Sequence, residues 1–339
     1  MKRFLFVLLT AAFTLFSAVC PALAEGDVFY RLDLGTVKDK GESPGNDRFL
    51  TEGKYKLKHL DEKYQLSSFE PSLEGMDQLH ISGSAQYSEK QFRNLANTLR
   101  ECAGGDPVYI IDLREESHAF VDGKPVSIYG TQNAANKGKT LEQILEDEQA
   151  RFASLPGTEL KAYRLKGDGK GKKYTVNVKT WMTERELAES EGFNYLRIPA
   201  TDHIWPAPEK IDTFIEFARG LDMDHVWLHF HCHAGRGRTG AFMVIYDIMK
   251  NPDVPLEDIV ARQAMTGSTY LLYTGGSGKD KERHEEKARM VRLVYQYIRE
   301  NKETNYETPW SEWLQGVSLS LFRSSGQQLR REPGTASRS

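Results

Sequence analysis

Val108–Leu113 (VYIIDL) is a short apolar run between Pro107 and the charged REESH, which reads as a buried strand. Tyr195–Ile198 and Val226–His231 have the same character. Between such runs the spacing changes to that of helices. Ser88–Arg100 opens with Ser88 and Gln91 in capping-box positions and sets Phe92, Leu95 and Leu99 on one face. Thr140–Phe152, Thr183–Glu191, Glu209–Arg219, Thr239–Lys250, Leu256–Met265 and Glu285–Glu300 read as further helices. Strands alternating with helices predict an α/β domain with a mostly parallel central sheet flanked by helices. Residues 160–181 are two strand-like runs around a Gly-rich turn, hence a hairpin. With Val28–Leu34 they predict a small β accessory made of N-terminal strands and about 156–182.

The two ends differ from this body. Lys2 and Arg3, the apolar FLFVLLTAAFTLFSAV and Ala22-Leu23-Ala24 form a secretory signal, so residues 1–24 are expected to be removed. The apolar stretch is short for a spanning helix, and no stable membrane anchor is expected. The chain then divides into a leader (1–24), one domain with its β accessory (25–322) and a polar, disordered tail (323–339). Export places the mature chain in the periplasm or outside the cell. It keeps Cys102 and Cys232, which is too few for a disulfide framework. An oxidising compartment would permit a bond between them, but a single reactive thiol is the sharper reading. Removing Lys2 and Arg3 takes the formal charge from −3 to −5. The overall field therefore repels polyanions, and any polyanion site must be built from locally clustered base. No nucleic-acid partner is expected.

Local chemistry concentrates at residues 229–240, HFHCHAGRGRTG. The apolar run ends at Cys232 and the helical spacing resumes near Thr239, which makes a strand, a tight loop and a helix N-terminus. Gly235 and Gly237 allow positive φ, so the amides of His233, Ala234, Gly235, Arg236 and Gly237 can turn inward as an anion cradle. The helix adds the positive end of its dipole. Arg238 can offer a two-pronged guanidinium to phosphate oxygens. The same field favours the thiolate of Cys232, which is the nucleophilic form. A metal reading of His229, His231 and His233 competes, because HxHxH spacing shares one face of a strand. Two arginines beside it would repel a dication, so no metal and no cofactor are expected. Phosphoryl transfer also needs a proton donor for the leaving oxygen, and Asp202 in ATDHIWPAP, after a short strand, is the candidate.

HCHAGRGRTG matches the HC-x5-R-[ST] signature of the protein tyrosine phosphatase superfamily. Longer blocks narrow the resemblance: LEGMDQLHISGS (73–84), IDLREESHAFVDGKPVS (111–127), YLRIPATDHIWPAPEKID (195–212), WLHFHCHAGRGRTGAFMV (227–244) and YETPWSEWL (306–314). These resemble the bacterial protein-tyrosine-phosphatase-like phytases over about residues 30–315. The resemblance implies a phosphatase core with a small partial β-barrel. It also implies stepwise, metal-independent dephosphorylation of myo-inositol hexakisphosphate and lower inositol phosphates through a phosphocysteine. On it Cys232 is the nucleophile, Arg238 the phosphate clamp and Asp202 the general acid. His203 contacts substrate, and Thr239 donates its hydroxyl toward the sulfur. Arg48 stands near a basic position of the family, and Asn133 stands where an Asp is usual. The loop is similar as well to that of the phosphoinositide 3-phosphatases, where lysines occupy the places of His233 and Arg236. Extra charge there suits a ring crowded with phosphates. Of the basic clusters at 161–179 and 279–283, Lys166, Lys170 and Lys279 are the picks for the pocket rim. The alternatives left open are a protein tyrosine or phosphoinositide phosphatase of the same mechanism and a non-enzymatic phosphate-binding module. The oligomeric state is left open too.

Overall fold

The computed structural model describes residues 28–33 and 43–317. The leader 1–24 and the tail 323–339 lie outside the described residues. Strands are β1 (Phe29–Leu32), β2 (Arg48–Leu50), β3 (Ile81–Ser84), β4 (Val108–Arg114), β5 (His118–Val121), β6 (Lys124–Tyr129), β7 (Glu159–Lys166), β8 (Gly169–Asn177), β9 (Trp181–Met182), β10 (Asn194–Ala200) and β11 (Trp227–His231). Helices are α1 (Glu89–Ala103), α2 (Leu141–Ala153), α3 (Glu184–Ser190), α4 (Pro208–Arg219), α5 (Gly237–Lys250), α6 (Leu256–Met265) and α7 (Gly278–Asn301).

The helix starts follow from their caps. Ser88 with Gln91, Thr140 with Gln143 and Thr183 with Glu186 form reciprocal capping boxes that satisfy amides left over at the first turns of α1, α2 and α3. The central sheet runs β10-β4-β11-β3-β2, parallel except where β2 meets β3. Its middle strands are buried on both faces, as covered parallel sheets are. Nearly every residue of α5 from Arg238 to Met249 is buried, so this helix is driven against the sheet by packing. Each of its large apolar side chains contributes about 1.5–3 kcal/mol of transfer energy.

The accessory sheet runs β8-β7-β1-β6-β5-β9, mostly antiparallel, with no pairing between β8 and β9 to close it into a barrel among the described residues. Its β5–β6 hairpin was not anticipated from the apolar pattern, although Asp122-Gly123 is a strong turn signal. Both residues have positive φ (46° and 74°), the geometry of a two-residue hairpin turn. The largest boundary shift is in α7. It starts at Gly278 rather than near Glu285, so Lys279, Lys281 and Arg283 belong to its first turns and not to a loop.

Candidate active site

β11 is the middle strand of the parallel sheet, paired with β3 and β4, and Cys232 leaves its carboxyl end. Crevices at the carboxyl ends of such strands are where α/β sheets bind ligands. Cys232 is 3 % exposed and unbonded to Cys102, both being free thiols. The loop after it turns at Gly235, whose φ is +68°. A Cβ there would lie 2.4 Å from the Ser84 carbonyl carbon and 2.5 Å from the Ala85 nitrogen, so no other residue fits. Gly237 differs from the sequence expectation. It takes helical φ as the first residue of α5, and a Cβ on it would meet nothing within 4 Å.

The loop carbonyls are held from behind. Gly235 O accepts Asn46 Nδ2 at 2.8 Å and Arg48 Nη1 at 2.9 Å, and His233 O accepts Gln86 N at 3.1 Å. In a planar trans peptide the N–H points opposite to the C=O. The amides of Ala234 and Arg236 are therefore turned away from these anchors, toward the open side of the loop. Arg48 is thus a support and not a cavity residue. It is 4 % exposed, with Nη2 on Ser268 Oγ and Met243 Sδ, each at 3.1 Å. Burial without a carboxylate bond pushes its guanidinium down to about 10.

Arg238, six residues after Cys232, is 3 % exposed and turned back toward the cavity. Its Nη1 lies 2.8 Å from Glu116 Oε2 and its Nη2 3.1 Å from Asp202 Oδ2. Burial opposes its charge, but Asp202 and Glu116 hold it protonated. Glu116, which the sequence reading missed, is fully buried and also meets Arg114 at 2.9 Å and Arg31 at 3.6 Å. Burial pushes this carboxyl up, and Arg238 and Arg114 more than reverse that. Asp202 accepts Asn133 Nδ2 at 3.1 Å and the His203 amide at 3.0 Å. Burial raises its pKa, yet the Arg238 guanidinium, with His203 and the Asn133 hydrogen bond, holds it below the usual carboxylate range. His203 sits on the rim with φ +67° and its ring 3.9 Å from Asp202. Trp205, 6 % exposed, anchors the segment that carries both.

These groups border a cavity of about 500 Å³. Ala234, Gly237 and Arg238 line it together with His203, His233 and Asp202. Its other wall brings in Arg283, from the basic cluster 279–283 read as a pocket rim, together with Arg31, Asp168, His284 and Lys287, which were not singled out from sequence. Burial pushes the Lys287 ammonium down. Lys166, Lys170 and Lys279 are exposed and stand outside the lining. Lys170 lies instead over the rings of Phe29 and Tyr163, at 5.4 Å from each centroid. Arg236 is exposed and also outside the lining. His233 lines it but adds no charge: burial and Arg31 push its imidazole down to about 3, with Asp33 3.6 Å away. Thr239 Oγ1 is buried without a hydrogen-bond partner.

The three histidines do not converge. His229 pairs its two ring nitrogens with the Ser82 and Ser84 hydroxyls, at 2.8 and 3.1 Å, while His231 Nε2 faces Glu184 Oε1 at 2.5 Å. Asp112, His118 and Glu184 do cluster at ligand spacing. There His118 Nε2 lies 3.2 Å from each carboxylate. Burial and Arg114 oppose its charge, but the two carboxylates, Asp112 and Glu184, together hold the imidazole up at about 9.

A family model, PTPlike_phytase, described by the words inositol hexakisphosphate, matches residues 111–250. The structure of the PTP-like myo-inositol phosphatase from Mitsuokella multacida, in complex with myo-inositol-(1,3,4,5)-tetrakisphosphate, is 37% identical with a TM-score of 0.76, over 84% of this chain and 48% of that one. A PTP-like phytase from Bdellovibrio bacteriovorus is 27% identical with a TM-score of 0.63, over 84% and 94%. The effector protein hopD2 of Pseudomonas syringae pv. tomato is 29% identical over 253 residues, 72% of this chain and 53% of the effector. The chain thus spans about half the length of the effector and of the Mitsuokella protein.

Proposed function

This chain belongs to the protein-tyrosine-phosphatase-like phytase family, and on that premise we propose that it hydrolyses phosphomonoesters of myo-inositol polyphosphates through a phosphocysteine on Cys232. The observation that carries the reading is the buried Arg238, directed at the cavity beside the loop amides with the Asp202 carboxylate 3.1 Å away. Asp202 meets the guanidinium where a phosphate oxygen would. A bound dianion takes over that contact, and its charge raises Asp202 until the carboxyl holds a proton.

The thiolate of Cys232 then attacks phosphorus in line, and the ester P–O bond breaks. Loop amides and Arg238 neutralise the equatorial oxygens, while Asp202 delivers its proton to the leaving alkoxide. In the second step Asp202, now a carboxylate, takes a proton from water as the water attacks phosphorus and the thiolate departs. Thr239 Oγ1, buried and without a partner, is free to donate to the departing sulfur. Arg31 Nη2, also buried without a hydrogen-bond partner, together with Arg283 and Lys287 supplies base for phosphates not being cleaved. The leader-like residues 1–24 support export, and no helix among the described residues is long and apolar enough to cross a membrane.

The test is phosphate release from inositol hexakisphosphate with the wild type and Cys232→Ser. Release by the wild type alone, faster than from a phosphotyrosine peptide, is the expected outcome. Faster turnover of the peptide overturns the substrate, and equal release by the variant overturns the mechanism.

A further inference from the structure

The cavity wall carries carboxylates as well as cations. Asp168, at the tip of the β7–β8 hairpin, lines it. The carboxylate is pinned: Oδ1 accepts the Tyr129 hydroxyl and, at 2.9 Å, the Gln132 amide, which also reaches Oδ2 at 3.1 Å. Both donors are neutral: one is the Tyr129 side-chain hydroxyl, the other the Gln132 backbone amide. Tyr129 ends β6, and Gln132 is held at φ +54° in the turn that follows. These bonds hold the carboxylate at the cavity wall, and neutral donors do not cancel its charge. Asp280, also in the wall, is different, because Arg283 meets it at 3.5 Å. The Arg31 guanidinium lies over the Tyr129 ring, 4.9 Å from its centroid. The pocket thus holds a cation over the face of Tyr129 and an anion at its hydroxyl.

Resting on the inositol-polyphosphate reading, we infer that Asp168 is a specificity-determining residue. It selects substrates that present a hydroxyl, not a phosphate, to the hairpin side of the ring. A ring hydroxyl donates to a carboxylate that still has acceptor capacity. A phosphate in that place meets a like charge held at short range. The preferred substrates are accordingly partly dephosphorylated inositol phosphates, with the hexakisphosphate the poorer one. The sequence reading expected the opposite sign here, because lysines surround Asp168. Lys166 lies on the opposite face of β7 from the lining residue Leu165, and Lys170, which pairs with Leu165, is drawn over the rings of Phe29 and Tyr163, so Asp168 and neither lysine borders the cavity.

The experiment compares wild type, Asp168→Asn and Asp168→Lys on inositol hexakisphosphate, an inositol tetrakisphosphate and p-nitrophenyl phosphate. Asp168→Asn keeps an acceptor oxygen for Tyr129 and Gln132 while removing the charge. Its KM for the hexakisphosphate should fall about three- to fivefold, the scale of one exposed charge pair, with kcat and p-nitrophenyl phosphate turnover unchanged. Asp168→Lys should widen the change to about tenfold, in keeping with a charge difference twice as large. An equal change on all three substrates, or none on the hexakisphosphate, overturns the assignment. Failure of the underlying reading has a separate signature, in which p-nitrophenyl phosphate is cleaved but no protein releases phosphate from either inositol phosphate. That result overturns both.

Discussion

Asn133 offers the most direct handle on the proposed acid. Its Nδ2 donates to Asp202 Oδ2 at 3.1 Å, and Arg238 Nη2 lies equally near the same oxygen. Both contacts favour the ionised carboxyl, which stands below its ordinary range despite burial. Asn133→Asp replaces this donor with a second carboxylate at about the same distance. Left-handed φ (+61°) is tolerated by Asp nearly as well as by Asn, so the backbone has no reason to move. Losing the charge-assisted bond is worth about 1.5 kcal/mol, close to one pKa unit. Two adjacent carboxylates also resist sharing two charges, which adds to the rise. Asp202 keeps 24 % side-chain exposure and its arginine, so screening limits the total to about 1–2 units. Asp202 donates only while protonated. The alkaline limb of kcat/KM against pH therefore follows its pKa and should move up by about 1–2 pH units. The assay is phosphate release from inositol hexakisphosphate across pH 3–9. Ionisation of the substrate is common to both proteins and cancels in the difference. A limb that stays in place, or moves down, refutes the role given to Asp202 and Asn133.

Two further outcomes follow from the same geometry. Gly235→Ala forces a left-handed Ala with its Cβ 2.4 Å from the Ser84 carbonyl carbon; a loop displaced by about 1 Å should lower kcat about a hundredfold, and a kcat within twofold of wild type would refute the required close approach. His118, with a folded pKa of about 9 against an ordinary 6.5, contributes stability that is complete below about pH 6.5 and lost as pH rises through about 9. The shift corresponds to roughly 3 kcal/mol. Melting temperatures should fall over that window, and a flat profile would show that the imidazole is neutral.

Much of the site could be read in the chain because it is local. Cys232, Gly235, Arg238 and Thr239 lie within eight consecutive residues, and an apolar run followed by glycines and helical spacing admits few geometries besides strand, loop and helix N-terminus. The capped helices were legible for the same reason, since Ser88, Thr140 and Thr183 each act within their own first turn. Asp202 was within reach too, through its place after a short strand. The β5–β6 hairpin escaped although Asp122-Gly123 signalled it, because its strands are short and the charged REESH segment masks the alternation.

Charge clusters were partial guides: Arg283 of the 279–283 cluster lines the cavity, whereas Lys166, Lys170 and Lys279 do not. A run of lysines reports composition, but whether each side chain faces a pocket depends on strand alternation, turn direction and what packs beneath. Lys170 found aromatic rings, Arg48 went under the loop, and His233 became neutral beside Arg31 and Asp33. Chain order by itself determined the identity and spacing of the nucleophile, the clamp and the cradle, because covalent neighbours cannot drift apart. The tertiary structure alone decided the rest of the cavity. Arg31 from β1, Asp168 from a hairpin tip and Lys287 from α7 border one cavity, with Glu116 from the turn after β4 buried behind Arg238, only because the accessory sheet and α7 pack around the carboxyl end of β11. No periodicity within any of those segments encodes that meeting.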